Sequence, residues 1–138
     1  MRKKGVLVLL ILGLLLLVGC DSEAGRAITP LEACDIATEW GEGTSTEPWI
    51  SFLLDPETGL GTMDINQLVG MGISKIYYVV VSSTTGNTIS GTYHIDDDEN
   101  PVYDITITLF HKEPKLTVRI TGQGPLAGRT YVVKPTPD

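Results

Sequence analysis

The sequence predicts an α+β fold, an N-terminal amphipathic helix packed on a curled antiparallel β-meander of about five strands. Three observations carry the prediction. Thr29-Pro30-Leu31-Glu32 is a capping box that opens a stretch of helical apolar spacing. From Lys75 onward apolar residues recur at every second position. The connections between the alternating stretches are two to seven residues long, too short for crossover helices, so successive strands pair antiparallel.

The chain of 138 residues starts with Arg2, Lys3 and Lys4, then runs apolar from Val6 to Val18, interrupted only by Gly13. That is the pattern of a secretory leader. Gly5 to Cys20 gives 16 residues before Asp21, Glu23 and Arg26, short of the about 20 that span a bilayer, so removal is favoured over a permanent span. The run ends at Leu17-Val18-Gly19-Cys20, which resembles the lipobox of bacterial lipoproteins. The resemblance covers the leader alone. It implies cleavage before Cys20, diacylglycerol on the Cys20 sulfur and acylation of the new amino terminus, as by palmitate. It also implies a protein held on the extracytoplasmic side of the cell membrane. Asp21 resembles the signal that keeps lipoproteins of some Gram-negative bacteria in the inner membrane; in a Gram-positive cell the anchor lies in the outer leaflet of the cytoplasmic membrane. The chain therefore divides into a leader (1–19), the lipidated cysteine with a short tether (20–28), one α+β domain (29–134) and a tail (135–138).

After removal of the leader, 119 residues remain, with seven Lys and Arg against seventeen Asp and Glu, a net charge of −10. Such a chain lacks the clustered cations that nucleic acid requires. It is repelled by anionic lipid as a whole, so attachment rests on the acyl chains. A thioether at Cys20 leaves Cys34 without a disulfide partner, so the fold stands without staples.

Pro30 follows the capping threonine at the first helical position, and the helix is expected to run to Gly41. At 100° per residue, Ala33, Ile36, Ala37, Trp40 and, at the margin, Cys34 form its apolar arc, against Glu32, Asp35, Thr38 and Glu39. Trp49 to Leu54 reads as a buried strand, and Asp55-Pro56-Glu57-Thr58-Gly59 as a turn. Asp64 with Gln67 is expected to cap one or two helical turns through Val69, stopped by Gly70. Lys75 to Ser83 is apolar at both parities, which predicts a central strand covered on both faces. Strands are then expected at Thr88 to Asp96, Val102 to His111, Leu116 to Thr121 and Arg129 to Lys134. Aligning their apolar faces places His94 opposite or near Asp104 on the polar face and Thr106 near Arg119.

Asp96-Asp97-Asp98-Glu99-Asn100 is the most charged stretch. Asp96, Asp98 and Asn100 match the first three ligand positions of a calcium loop, but Pro101 stands where glycine makes the sharp turn and Ile107 where a bidentate glutamate is needed. Two readings stay open, a solvated hairpin turn and a weak calcium site of extracellular type. His94, Asp104 and Arg119 are the residues from which an acid–base cluster could be built, although exposed sheet faces carry such residues routinely. His111 closes its strand beside a polar turn, and two histidines without cysteine spacing do not suggest zinc. Gly122 to Gly128 has the glycines of a phosphate loop but runs from strand to strand, with Pro125 where donors are wanted. Tyr77, Tyr78, Tyr93, Tyr103 and Tyr131 either pack the sheet or line a groove.

Ile28 to Ala37 followed by Phe52 to Gly59 resembles the opening of PepSY-type domains over about thirty residues. The later strands are too many for that small module, so neither its role nor any site is carried over. Taken together the residues predict a membrane-anchored, extracytoplasmic lipoprotein that is a non-catalytic binding module of the cell envelope, with the membrane and an envelope protein as partners. No enzyme activity and no cofactor are expected, apart from the open calcium reading. The alternative is a small-ligand carrier or sensor with an apolar pocket between helix and sheet.

Overall fold

In a computed structural model the described residues are 24–41, 48–68 and 74–136; the leader, the lipobox and Cys20 lie outside them. The elements follow in the order β1 (Arg26–Ala27), α1 (Pro30–Ile36), β2 (Glu39–Gly41), β3 (Trp49–Leu54), β4 (Gly61–Leu68), β5 (Ser74–Thr85), β6 (Thr88–Ile95), β7 (Asp98–Lys112), β8 (Lys115–Gly122) and β9 (Thr130–Pro135). Each of β2 to β8 pairs antiparallel with its successor, and β9 returns to β2 through Trp40↔Pro135 and Gly41↔Lys134. The result is a closed eight-stranded up-and-down barrel. β1 extends the sheet beside β7 at Arg26↔His111, just past the Thr88↔Thr108 pair where β6 begins.

The predicted α+β fold with a five-stranded meander is therefore corrected to an all-β barrel with one helix of seven residues. Three local readings account for the difference. The capping box is present, with the Glu32 N–H donating to the Thr29 hydroxyl at 3.1 Å and the Thr29 N–H donating to Glu32 at 3.2 Å. The helix, however, stops at Ile36 because Ala37 is already extended (φ −162°, ψ 143°). Trp40 thus belongs to β2, where its indole N–H donates to the Ala37 carbonyl at 2.8 Å and its ring is wholly buried. Of the predicted helical arc, Ala33 is buried while Ile36 is 42% exposed. Asp64 and Gln67 cap nothing; they lie in β4, whose buried Met63 and Ile65 alternate with Asp64 and Asn66. β5 has one covered face only: Tyr77, Val79 and Val81 point into the barrel, whereas Val80 is 50% exposed outside it.

The helix and the turns set the two ends. At one end lie α1, the 55–60 turn, Gly86-Asn87 and the Glu113-Pro114 turn; at the other lie Asp96-Asp97 and the 123–129 loop. The interior is a single apolar cluster from Ile28 and Ala33 at the helix end to Leu126 at the loop end. Leu126 is turned into the core because Tyr93 holds its loop: the phenol donates to the Gln123 carbonyl and accepts from the Leu126 N–H at 3.1 Å. Gly124 is required there, since at φ +75° a Cβ would sit 2.6 Å from the Tyr103 ring. Charged residues such as Asp64, Asp104, Arg119 and Lys134 occupy the exterior parity of the strands, the reverse of a membrane-spanning barrel with its apolar outer band. No helix of the described residues is long and apolar enough to cross a membrane.

Candidate interaction face

Strand alternation projects every second residue of β3 to β6 outward, and the register lines these residues up in rows. One row runs Leu53, Thr62, Val80, Thr92; the next Ser51, Asp64, Tyr78, His94; the third Trp49, Asn66, Ile76. Leu53 is 76% exposed, Trp49 52% and Val80 50%. No described element covers them. Within this face an open groove of about 380 Å³ is lined by Thr62, Asp64, Tyr78, Val80, His94, Asp96 and Asp97.

The Tyr78 and His94 rings stack across the strands with centroids 5.3 Å apart and planes 25° from parallel, forming the groove's aromatic floor. Asp96 fixes the rim. It adopts φ +50°, its N–H donates to the Ile76 carbonyl at 2.8 Å, and its Oδ1 accepts from the Ile76 N–H at 2.8 Å. Among the described residues no Lys or Arg lines the groove. The surface therefore offers apolar contact, a ring stack, carboxylate acceptors, and hydroxyl and imidazole groups that can donate or accept.

The residues singled out in the sequence are distributed differently. His94, Asp104 and Arg119 are not brought together. His94 lies opposite Tyr78, Asp104 opposite Thr92, and Arg119 opposite Thr108 with its guanidinium 4.7 Å from the Phe110 ring centroid. His94 and Asp104, and Thr106 and Arg119, stand on the same face as diagonal neighbours, two residues from direct pairing, because parity is set by burial and exact register by turns and bulges. Here an irregularity falls between Tyr93 and Ile95.

Asp96 and Asp97 form a two-residue hairpin turn, and Asp98 opens β7 opposite Ile95. Asp96 and Asp98 line a shallow groove of about 310 Å³ together with Lys75; the Asn100 side chain lies outside the described residues. Among the described residues no group of three or more His, Cys, Asp or Glu converges as a metal site. His111 is buried against Trp40 in an edge-on ring contact at 6.2 Å, and its Nε2 lies 3.7 Å from the Glu113 carboxylate. Cys34 is half-buried, and burial with the nearby Asp35 pushes its thiol up, away from thiolate.

Tyr77, Tyr93, Tyr103 and Tyr131 gather at the loop end, with Tyr93 6.1 Å from Tyr77 and 5.2 Å from Tyr103. Tyr131 donates to Gln67 at 3.2 Å, and Arg129 donates to Gln67 at 3.3 Å and to the Pro125 carbonyl at 3.0 Å. Only Tyr78 of the five stands on the outer face. The Trp49, Leu53, Tyr78 and Val80 surface was missed as a site, although β5 being apolar at both parities was its signal. A comparison with protein-family models, with curated proteins and with solved structures finds no match to this chain.

Proposed function

We propose that the protein is a lipid-anchored, extracytoplasmic binding module of the cell envelope, attached through Cys20, with an envelope protein docked on the outward face of β3 to β6. It is a binding role without catalysis. One contrast carries this reading: among the described residues the core side chains are buried while the outer face is uncovered. Ala33, Trp40, Ile50, Leu109 and Leu116 are fully buried at the helix end of the barrel. Among the described residues this burial gives a carrier role between helix and sheet no support. Outside, Leu53, Trp49 and Val80 leave apolar surface of the kind that marks interaction sites.

The test is in-cell crosslinking of the tagged protein, membrane purification and mass spectrometry, with Cys20→Ala as the unanchored control. A Leu53→Glu, Val80→Glu double variant should keep its melting transition, since both side chains are solvent-exposed, and lose the crosslinked partner. A partner retained by that variant would reject the face, and one retained equally by Cys20→Ala would reject the anchor's role.

A further inference from the structure

The packed chain starts well before the helix. Ile28 is 1% exposed, Arg26–Ala27 is paired with β7, and Gly25 is pressed against the β7–β8 hairpin. A Cβ on Gly25, at φ +95°, would fall 2.0 Å from the His111 carbonyl oxygen and 2.7 Å from the Lys112 Cβ. The chain therefore leaves the barrel at this hairpin, beside an open groove of about 360 Å³ lined by Ala24, Lys112, Glu113, Lys115, Thr117 and Val132. Only Asp21, Ser22 and Glu23 separate Ala24 from Cys20, a reach of at most about 14 Å.

Lys112 and Lys115 are direct cross-strand partners. Like charges so placed destabilise a strand pair, and neither makes an ion pair with a described residue. Glu113, the acid nearest in sequence, is directed to His111 and is 83% exposed. Two lysines held face to face beside the tether have one chemistry in common, the capture of an anion between them. Bilayer phosphates are the anions that a lipid on Cys20 brings within reach.

We propose that the Lys112–Lys115 groove docks on the phosphate headgroups of the membrane that anchors the protein. The inference rests on lipidation at Cys20. The overall charge of −10 still repels anionic lipid, and the helix end itself carries Glu32, Asp35, Asp55 and Glu57, so the contact is confined to the two lysines beside the tether. Docking thus holds the helix end down and turns the β3–β6 face sideways, open to a partner in the same envelope layer.

Lysine footprinting of the full lipidated protein tests this. The protein is placed in phosphatidylcholine vesicles, in vesicles that also contain phosphatidylglycerol, or in dodecyl maltoside micelles, which carry no phosphate. Brief acetylation with an N-hydroxysuccinimide ester is read by mass spectrometry as the labelling of Lys112 and Lys115 relative to Lys75, which begins β5 at the far end. The ratio should fall about fivefold per lysine in vesicles, and further with phosphatidylglycerol. Inorganic phosphate added to the micelles should not reproduce the fall. An unchanged ratio, with intact mass showing diacylglycerol on Cys20, overturns the groove and leaves the anchor standing. A ratio equally low in maltoside places the chain's own acids in the groove and also overturns it. An intact mass without lipid on Cys20 removes both.

Discussion

Tyr93 joins the barrel wall to the loop that closes its far end, and a single hydroxyl makes both connections, to Gln123 and Leu126. Tyr93→Phe would keep the ring packing against Tyr77 and Tyr103 but leave the buried Leu126 N–H without an acceptor. A loss of about 1–3 kcal/mol is expected, measured as a lowered urea midpoint with an unchanged slope. Burial pushes the phenols of Tyr93 and Tyr131 up, more than hydrogen bonds from Leu126 and Arg129 pull them down. The neutral phenols are thus favoured in the folded state. Unfolded tyrosine ionises near about pH 10, so their contribution is fully present below that value and is lost as pH rises through the higher folded values. The urea midpoint should fall above about pH 10, and a midpoint that rises there would contradict the assignment.

The helix and the strand after it are short, and each depends on one side chain. Thr29→Ala removes the acceptor for the Glu32 N–H and should cost about 1 kcal/mol by thermal or urea melting. Trp40 matters more. Its ring fills the helix end of the barrel, in contact with His111, and its strand supplies the partner for β9. Trp40→Ala should cost about 3–5 kcal/mol, and a loss near that of the cap variant would show that the cavity collapses. A tryptophan spaced like a helical residue proved to be a strand residue because Ala37 extends and starts the strand that closes the barrel. The capping box was legible because its bonds span three residues; the helix stop was not, because no glycine or proline marks it.

Closure removes the exposed edges that an open meander would present. Ending the chain after Gly128 deletes β9 and exposes β8 and β2 as edges, so the truncated protein should show no cooperative melt and should sediment as aggregate. A monomeric truncated chain with a sharp melt would mean that closure is dispensable. Seven of the eight barrel pairings join strands adjacent in sequence, and Trp40 with Pro135 joins the two ends of the folded chain; refolding of this all-β topology after dilution from urea should take milliseconds to seconds.

Strands β5 to β9, their antiparallel order and the inward parity of Ile89, Tyr93, Ile105, Ile107, Leu109, Leu116, Val118 and Ile120 were determined by the sequence alone, because alternation and short turns are local properties. The N-terminus of α1 was local in the same way. Closure was decided by tertiary structure: β2 has three residues and β4 alternates only briefly, and both become strands by completing a ring whose other members were already set. The tertiary structure also decided which of two apolar parities on β5 faces inward. Both fit a strand, but a barrel has one interior, so Ile76, Tyr78 and Val80 were left outside, beside Leu53 and Trp49.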